Sequence, residues 1–153
     1  MLEAVTEQRN GIPYMKLTGV IDDSTSFEVT LGTPPPVLHL DCGQITRVNS
    51  RGIKMWMDYF GGARFRGTQL EFFDCSPAII EQFNLISNFG CGGKVRSLQI
   101  PYTCSACATC FTKSFTVDEA KKMKKEVKDQ PCPKCKAAGT FDDLPEMYLG
   151  FLK

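Results

Sequence analysis

The sequence predicts an α/β protein with a mixed sheet, followed by a small cysteine-rich module. Between residues 1 and 100, short apolar runs alternate with amphipathic helical patterns, which is typical of α/β folds. Five of the eight cysteines follow residue 101, and they include two separate C-x-x-C pairs. We therefore divide the chain into a first domain, 1–100, and a second module, 101–153.

The first domain is predicted to begin with a β-hairpin. Asn10-Gly11 is a strong two-residue turn signal, and the returning strand covers 14–21. Polar residues 22–25 then offer caps for a short helix over 27–31. A short apolar run at 37–40 predicts a buried strand, followed by a polar connection to the next helix.

That helix is predicted to begin at Asn49-Ser50, since both residue types accept hydrogen bonds from the free N–H groups of a first turn. One buried face is indicated by apolar residues at the i, i+3, i+4, i+7 spacing, namely Ile53, Trp56, Met57 and Phe60. Gly61-Gly62 and Gly67 are interpreted as the decay of the helix and a turn.

The rest of the first domain repeats the alternation. A strand is predicted over 68–75, and Ser76-Pro77 opens another helix, with Ser as the cap and Pro at the first helical position. Residues 94–100 alternate in polarity and predict a last strand. His39, the only histidine, is predicted to have a structural role, because the sequence shows no obvious acidic partner.

The module is predicted to contain a two-stranded ribbon, with Tyr102 on the first strand and the return strand over 111–115. Thr116 and Glu119 form a capping box, which predicts a helix with the lysines of Lys121–Lys128 on its solvent faces. The apolar tail over 144–152 is expected to dock onto the module or the first domain.

The two C-x-x-C pairs predict a metal site. Four cysteines form them, with 24 residues between the pairs: Cys104, Cys107, Cys132 and Cys135. Four thiolates complete a tetrahedral Zn²⁺ shell, which makes the predicted metal structural rather than catalytic. Cys107 and Cys110 have the same spacing, so Cys110 is an alternative ligand to Cys104, and a redox dithiol or disulfide is a further alternative.

Two motifs at matching positions resemble a known family. They are Val48-Asn49-Ser50-Arg51-Gly52-Ile53 and the helix start Asp74-Cys75-Ser76-Pro77-Ala78-Ile79-Ile80. In order and spacing these resemble the Asp-Ser-Ser-Gly-Leu turn and the Ser-Pro-Ala-Val helix start of STAS domains, the family of bacterial anti-sigma factor antagonists. The resemblance extends over about 5–100, and the cysteine module takes the place of the family's final helix.

The resemblance implies a STAS-like mixed sheet with helices packed on it. It also implies that Ser50 occupies the phosphorylated position and that Asn49, Arg51 and Gly52 belong to a partner-binding loop. Two residues differ from the family pattern, because Asn49 replaces an acidic residue and Arg51 replaces a second serine. The pair Asn49-Ser50 is equally consistent with a role as a helix cap alone.

The implied function is that of a non-enzymatic bacterial signalling protein. It would bind a protein partner, either a regulatory kinase of the anti-sigma type or another signalling protein. The alternatives are a nucleic-acid-associated protein that uses the Lys121–Lys128 helix face, and a thiol oxidoreductase that uses Cys107 and Cys110. The net charge of +1 argues against strong nucleic-acid binding, and the absence of a long apolar run argues for a cytoplasmic protein without a membrane span.

Overall fold

The computed structural model describes residues 1–152 as a mixed α/β fold with two sheets. The strands of the first sheet lie side by side in chain order: β1 (Leu2–Arg9), β2 (Ile12–Ile21), β3 (Val37–Val48), β4 (Gln69–Phe73) and β5 (Lys94–Val95). The β1–β2 pair is antiparallel and the other pairs are parallel, which confirms the predicted mixed sheet. Within residues 1–152, no helix combines the length and apolar character that crossing a membrane requires.

Three helices connect these strands: α1 (Phe27–Leu31), α2 (Ser50–Phe65) and α3 (Pro77–Leu85). Phe72 of β4 shows that α2 and α3 cover the same face of the sheet. Its ring lies 5.6 Å from Trp56 of α2 and 5.8 Å from Phe83 of α3. The aromatic core of the protein therefore lies between this sheet and the two helices.

β3 is longer than the short apolar run predicts. The segment expected to be a polar connection continues the strand to Val48, where it pairs with the end of β2. Cys42 and Ile45 are buried within this segment, so its burial pattern and parallel pairing outweigh its polar composition. Asn49 alone separates the strand from α2, so the prediction of a polar connection between them is wrong.

The predicted decay of α2 at Gly61-Gly62 is also wrong, because the helix continues to Phe65. Phe60 and Ala63 are fully buried on either side of the glycines. Their burial outweighs the cost of glycine within a helix, about 1 kcal/mol for each. Tertiary packing thus extends the helix past its weakest local sequence.

The strand predicted over 94–100 is divided between the two sheets. β5 ends at Val95, and β6 (Ser97–Cys104) belongs to the second sheet. The division occurs at Arg96, whose N–H donates to the Phe72 carbonyl at 2.8 Å and whose carbonyl accepts from the Val117 N–H at 3.0 Å. Residue 101 lies inside β6, and the domain boundary at this residue stays a prediction.

The second sheet has four strands in the order β7-β6-β9-β8. Besides β6, they are β7 (Cys110–Thr116), β8 (Gln130–Pro131) and β9 (Ala138–Thr140). β6 and β7 form the predicted ribbon, and the Tyr102 and Phe111 rings stack across it at 5.4 Å. The two cysteine pairs begin at the ends of β6 and β8 in this small sheet.

α4 (Val117–Lys121) has the predicted capping box but only five residues. The prediction that Lys121–Lys128 lie on a helix face is therefore wrong beyond Lys121. Like-charged lysines three and four residues apart destabilise a helix, while Met123 and Val127 pack against the core from irregular backbone. The nucleic-acid alternative loses the helix face on which it depended.

The apolar tail docks onto α3 of the first domain, as predicted. It forms α5 (Pro145–Tyr148), and Leu149 and Leu152 behind it are buried. Asn84 of α3 donates to the Tyr148 carbonyl at 2.8 Å and accepts from the Phe151 N–H at 3.0 Å. The end of the chain thus joins the cysteine module to the first domain.

Candidate metal centre and candidate partner surface

Four cysteine thiols lie together at one end of the second sheet, although they come from segments far apart in the chain. The sulfur atoms of Cys104, Cys107, Cys132 and Cys135 all lie within 4.8 Å of one another. The Cys104–Cys135 separation is 3.4 Å and the Cys107–Cys132 separation is 3.7 Å. Residues 104, 107, 132 and 135 are thus brought together as the spacing predicts.

The two C-x-x-C segments have the same backbone design. In each, the residue after the second cysteine donates its N–H to the carbonyl of the first, at 3.1 Å from Ala108 to Cys104 and at 2.9 Å from Lys136 to Cys132. Both of these residues have positive φ, 59° and 69°. Each turn therefore directs its two sulfurs to one point. The positive φ that the turn requires could not be predicted, because Ala and Lys are not residue types that favour it.

Backbone and side-chain donors stabilise the thiolate forms. The N–H groups of Cys107 and Ala106 hydrogen-bond to the Cys104 sulfur, each at 3.4 Å, and lower the pKa of Cys104. The Thr109 hydroxyl and N–H lower the pKa of Cys107 to about 6. The thiolate is the form that binds metals.

The fourth cysteine, Cys135, holds its proton more tightly than Cys104 and Cys107 do. The Ala137 N–H lowers the pKa of Cys135, but the sulfurs of Cys104 and Cys107 outweigh it and raise the pKa to about 12. Four thiolates at these separations repel one another unless a positive ion lies between them. A metal bound at about 2.3 Å to four sulfurs in a tetrahedron separates them by about 3.8 Å, close to the distances above.

Cys110 is outside this group. It is exposed at the start of β7, where its sulfur lies 3.9 Å from the Thr103 hydroxyl. The structure therefore gathers Cys104 rather than Cys110 with the other three thiols. The four-cysteine cluster can bind a metal without leaving a coordination position for substrate.

The second candidate site is the start of α2, where Asn49 forms the helix cap. Its side-chain oxygen accepts from the Gly52 N–H at 2.8 Å, and its amide donates to Asp23 at 3.0 Å. Its own N–H donates to the Ile21 carbonyl at 3.0 Å. Residues 22–25 are predicted as caps for α1, but Ser26 is the cap, and Asp23 instead gives the start of α2 the carboxylate that position 49 lacks.

Gly52 is buried where the first turn of α2 crosses the end of β2. A β-carbon at this position would collide with the backbone and side chain of Ile21. Gly52 is therefore required for close packing, and it lies in the interior rather than on the surface where the resemblance predicts partner contact.

Ser50 and Arg51 are exposed on the first turn of α2. Together with Asp23, Asn49 and Lys54 they line an open surface depression of about 700 Å³. Asn49 rather than Ser50 makes the cap hydrogen bond, which leaves the Ser50 hydroxyl at the first helical position facing solvent. The start of α2 thus presents the Ser50 hydroxyl near Arg51 and Asp23, while the Lys54 ammonium pairs with Asp58 at 2.7 Å.

His39 has an acidic partner, contrary to the prediction. Its Nε2 lies 3.0 Å from Glu71, which also forms an ion pair with Arg96. The partner was invisible in the sequence because His39 and Glu71 become neighbours only through the register of β3 and β4. Arg96 and His39 lower the pKa of Glu71.

Comparison with known proteins gives no family: no protein-family model matches the chain, and no curated protein matches it.

Proposed function

We propose that the protein is a non-enzymatic regulatory module that binds a protein partner through the start of α2. The observation that supports this function best is the exposed Ser50 beside a cap that Asn49 already provides. Helix capping explains the presence of Asn49 but does not explain why an exposed serine follows it. The proposal corresponds to the partner-binding position of STAS-type anti-sigma factor antagonists.

A phosphate on Ser50 has a physical basis for acting as the switch. It would lie at the N-terminus of a 16-residue helix, where the free N–H groups and the helix dipole favour negative charge. Arg51 adds a cation to the same depression, Lys54 is already paired with Asp58, and Asp23 opposes the added charge. The modification would make the surface that a partner meets strongly negative.

The cysteine cluster is proposed to hold Zn²⁺ as a structural ion. Four sulfur ligands suit Zn²⁺ and leave no open coordination position, so the ion would stabilise the second sheet without taking part in a reaction. The cations after residue 121 are not included in the proposed interface, because they do not form a helix face.

The test compares four full-length chains, each loaded with zinc: the wild type, Ser50→Ala, Ser50→Asp and Thr112→Asp. Thr112 is exposed on β7 and supplies a matched added charge away from α2. Proteins captured from the native host are quantified by mass spectrometry. We expect at least one partner to bind the wild type, Ser50→Ala and Thr112→Asp and to be lost with Ser50→Asp.

If Ser50→Asp captures every partner of the wild type in equal amounts, the proposal that Ser50 acts as a switch is wrong. Phosphosite mapping of the protein from its host is the second readout. Modification confined to other residues would also count against Ser50.

A further inference from the structure

An open groove of about 790 Å³ lies between the glycine-rich turn after α3 and the docked C-terminal tail. Phe83, Ile86 and Phe151 of the tail supply apolar lining of the groove. The centroids of the Phe83 and Phe151 rings are 5.5 Å apart, so the two rings pack into one apolar patch. All three residues are only half-buried, so the docked tail leaves apolar surface accessible to a ligand.

The charge around this apolar surface has one sign. Lys94, Arg96 and Lys121 line the groove, and the lining residues within 1–152 include no carboxylate. A neighbouring cavity of about 230 Å³ shares Lys94 and Arg96 and adds Arg64. Glu71, which lines that cavity, pairs with Arg96 and His39, so the charges of Glu71 and Arg96 offset each other. Lys94 and Lys121 are the exposed cations that remain in the groove, which therefore complements an acidic ligand.

The glycines beside the groove allow the turn to pack closely on the core. A β-carbon at Gly90 would lie 2.8 Å from the Phe83 ring, and one at Gly93 would lie 2.7 Å from Leu70 and Phe72. The cations of the groove are exposed side chains spread along an open surface, an arrangement that suits several carboxylates better than one phosphate group.

We propose that this groove binds an acidic peptide segment of a partner protein. Apolar side chains of the segment would contact Phe83, Ile86 and Phe151, and carboxylates on either side of them would meet Lys94 and Lys121. This surface is separate from the start of α2, and the proposal does not depend on Ser50.

The test uses the zinc-loaded full chain, labelled with nitrogen-15, and a twelve-residue probe peptide that places Phe and Leu among Glu and Asp. A matched peptide replaces each Glu by Gln and each Asp by Asn. We expect the acidic peptide to shift the amide signals of Lys94, Val95, Lys121 and Phe151. Its binding should weaken as salt rises from about 50 to about 300 mM, because exposed charges are screened.

Two double variants separate local contacts from net charge. Lys94→Gln with Lys121→Gln is expected to weaken binding roughly 2- to 30-fold, the range for two exposed charge pairs. Lys125→Gln with Lys128→Gln removes the same charge outside the groove and should change affinity less than about twofold. Both pairs are exposed lysines, so neither change removes core packing.

The proposal is overturned if no groove signal shifts at about 1 mM peptide, which marks very weak binding. Equal binding of the uncharged peptide, or equal weakening by the two double variants, also overturns it. Tripolyphosphate is the competing probe. If it occupies the groove more tightly than the acidic peptide, the site is a phosphate site rather than a peptide site.

Discussion

Replacing Gly52 by alanine tests whether the start of α2 is held in place by close packing against β2. Alanine is the better helix former, by about 1 kcal/mol, so local propensity alone predicts a more stable protein. The structure predicts the opposite, because the added β-carbon would collide with Ile21. The Ile21 carbonyl also accepts a hydrogen bond from the Asn49 N–H. A shift of Ile21 away from the new β-carbon would therefore strain this hydrogen bond.

The expected magnitude follows from these two opposing effects. Overpacking at a site that cannot relax costs about 2–3 kcal/mol, and the gain in helix propensity returns about 1 kcal/mol. We therefore expect Gly52→Ala to lower the free energy of unfolding by about 1–2 kcal/mol. With a urea dependence of about 2 kcal/mol per molar, the unfolding midpoint falls by about 0.5–1 M.

Urea unfolding of the zinc-loaded chain, followed by Trp56 fluorescence, measures this effect. Trp56 is the single tryptophan and lies fully buried on α2. Gly62→Ala is the matched control, since its β-carbon would meet only the end of the Arg66 side chain, at 3.6 Å. It should raise stability by about 0.5–1 kcal/mol. If both variants are stabilised, the packing argument for Gly52 is refuted.

Two further predictions concern the metal and an ion pair. Cys104→Ser is expected to lose stoichiometric zinc, measured by elemental mass spectrometry, whereas Cys110→Ser keeps it; metal loss from both, or from neither, would contradict the ligand set. Glu71→Gln is expected to lower stability at pH 7 by about 1 kcal/mol, because a charge-assisted bond network that includes Arg96 is lost. The folded-state pKa of Glu71 is below its ordinary value of 4.5, so its stabilisation is present above pH 4.5 and is lost as the pH falls through that folded-state value. Urea midpoints of the wild type and Glu71→Gln should therefore converge in acid, while the exposed control Glu81→Gln shows no such convergence; a constant difference at every pH would refute the assignment.

Much of the site was readable from the chain because local chemistry defines it. The Cys104 and Cys132 pairs have a spacing that places two sulfurs at one turn, and the structure brings both turns together. Asn49 was one of two candidate caps, and only the structure assigns the cap hydrogen bond to Asn49 and leaves Ser50 exposed. The STAS-like assignment and the switch at Ser50 stay proposals.

The mixed α/β class, the hairpin, the capping box and the cysteine pairs could be predicted from the chain, because the signals for each lie in residues close together in sequence. Where the elements end and which side chains meet depends instead on tertiary packing. β3 continues to Val48 because β2 supplies a partner, and α2 continues past its glycines because Phe60 and Ala63 are buried. The His39–Glu71 pair and the cationic groove arise from strand register and chain docking, in which the residues that meet are distant in sequence.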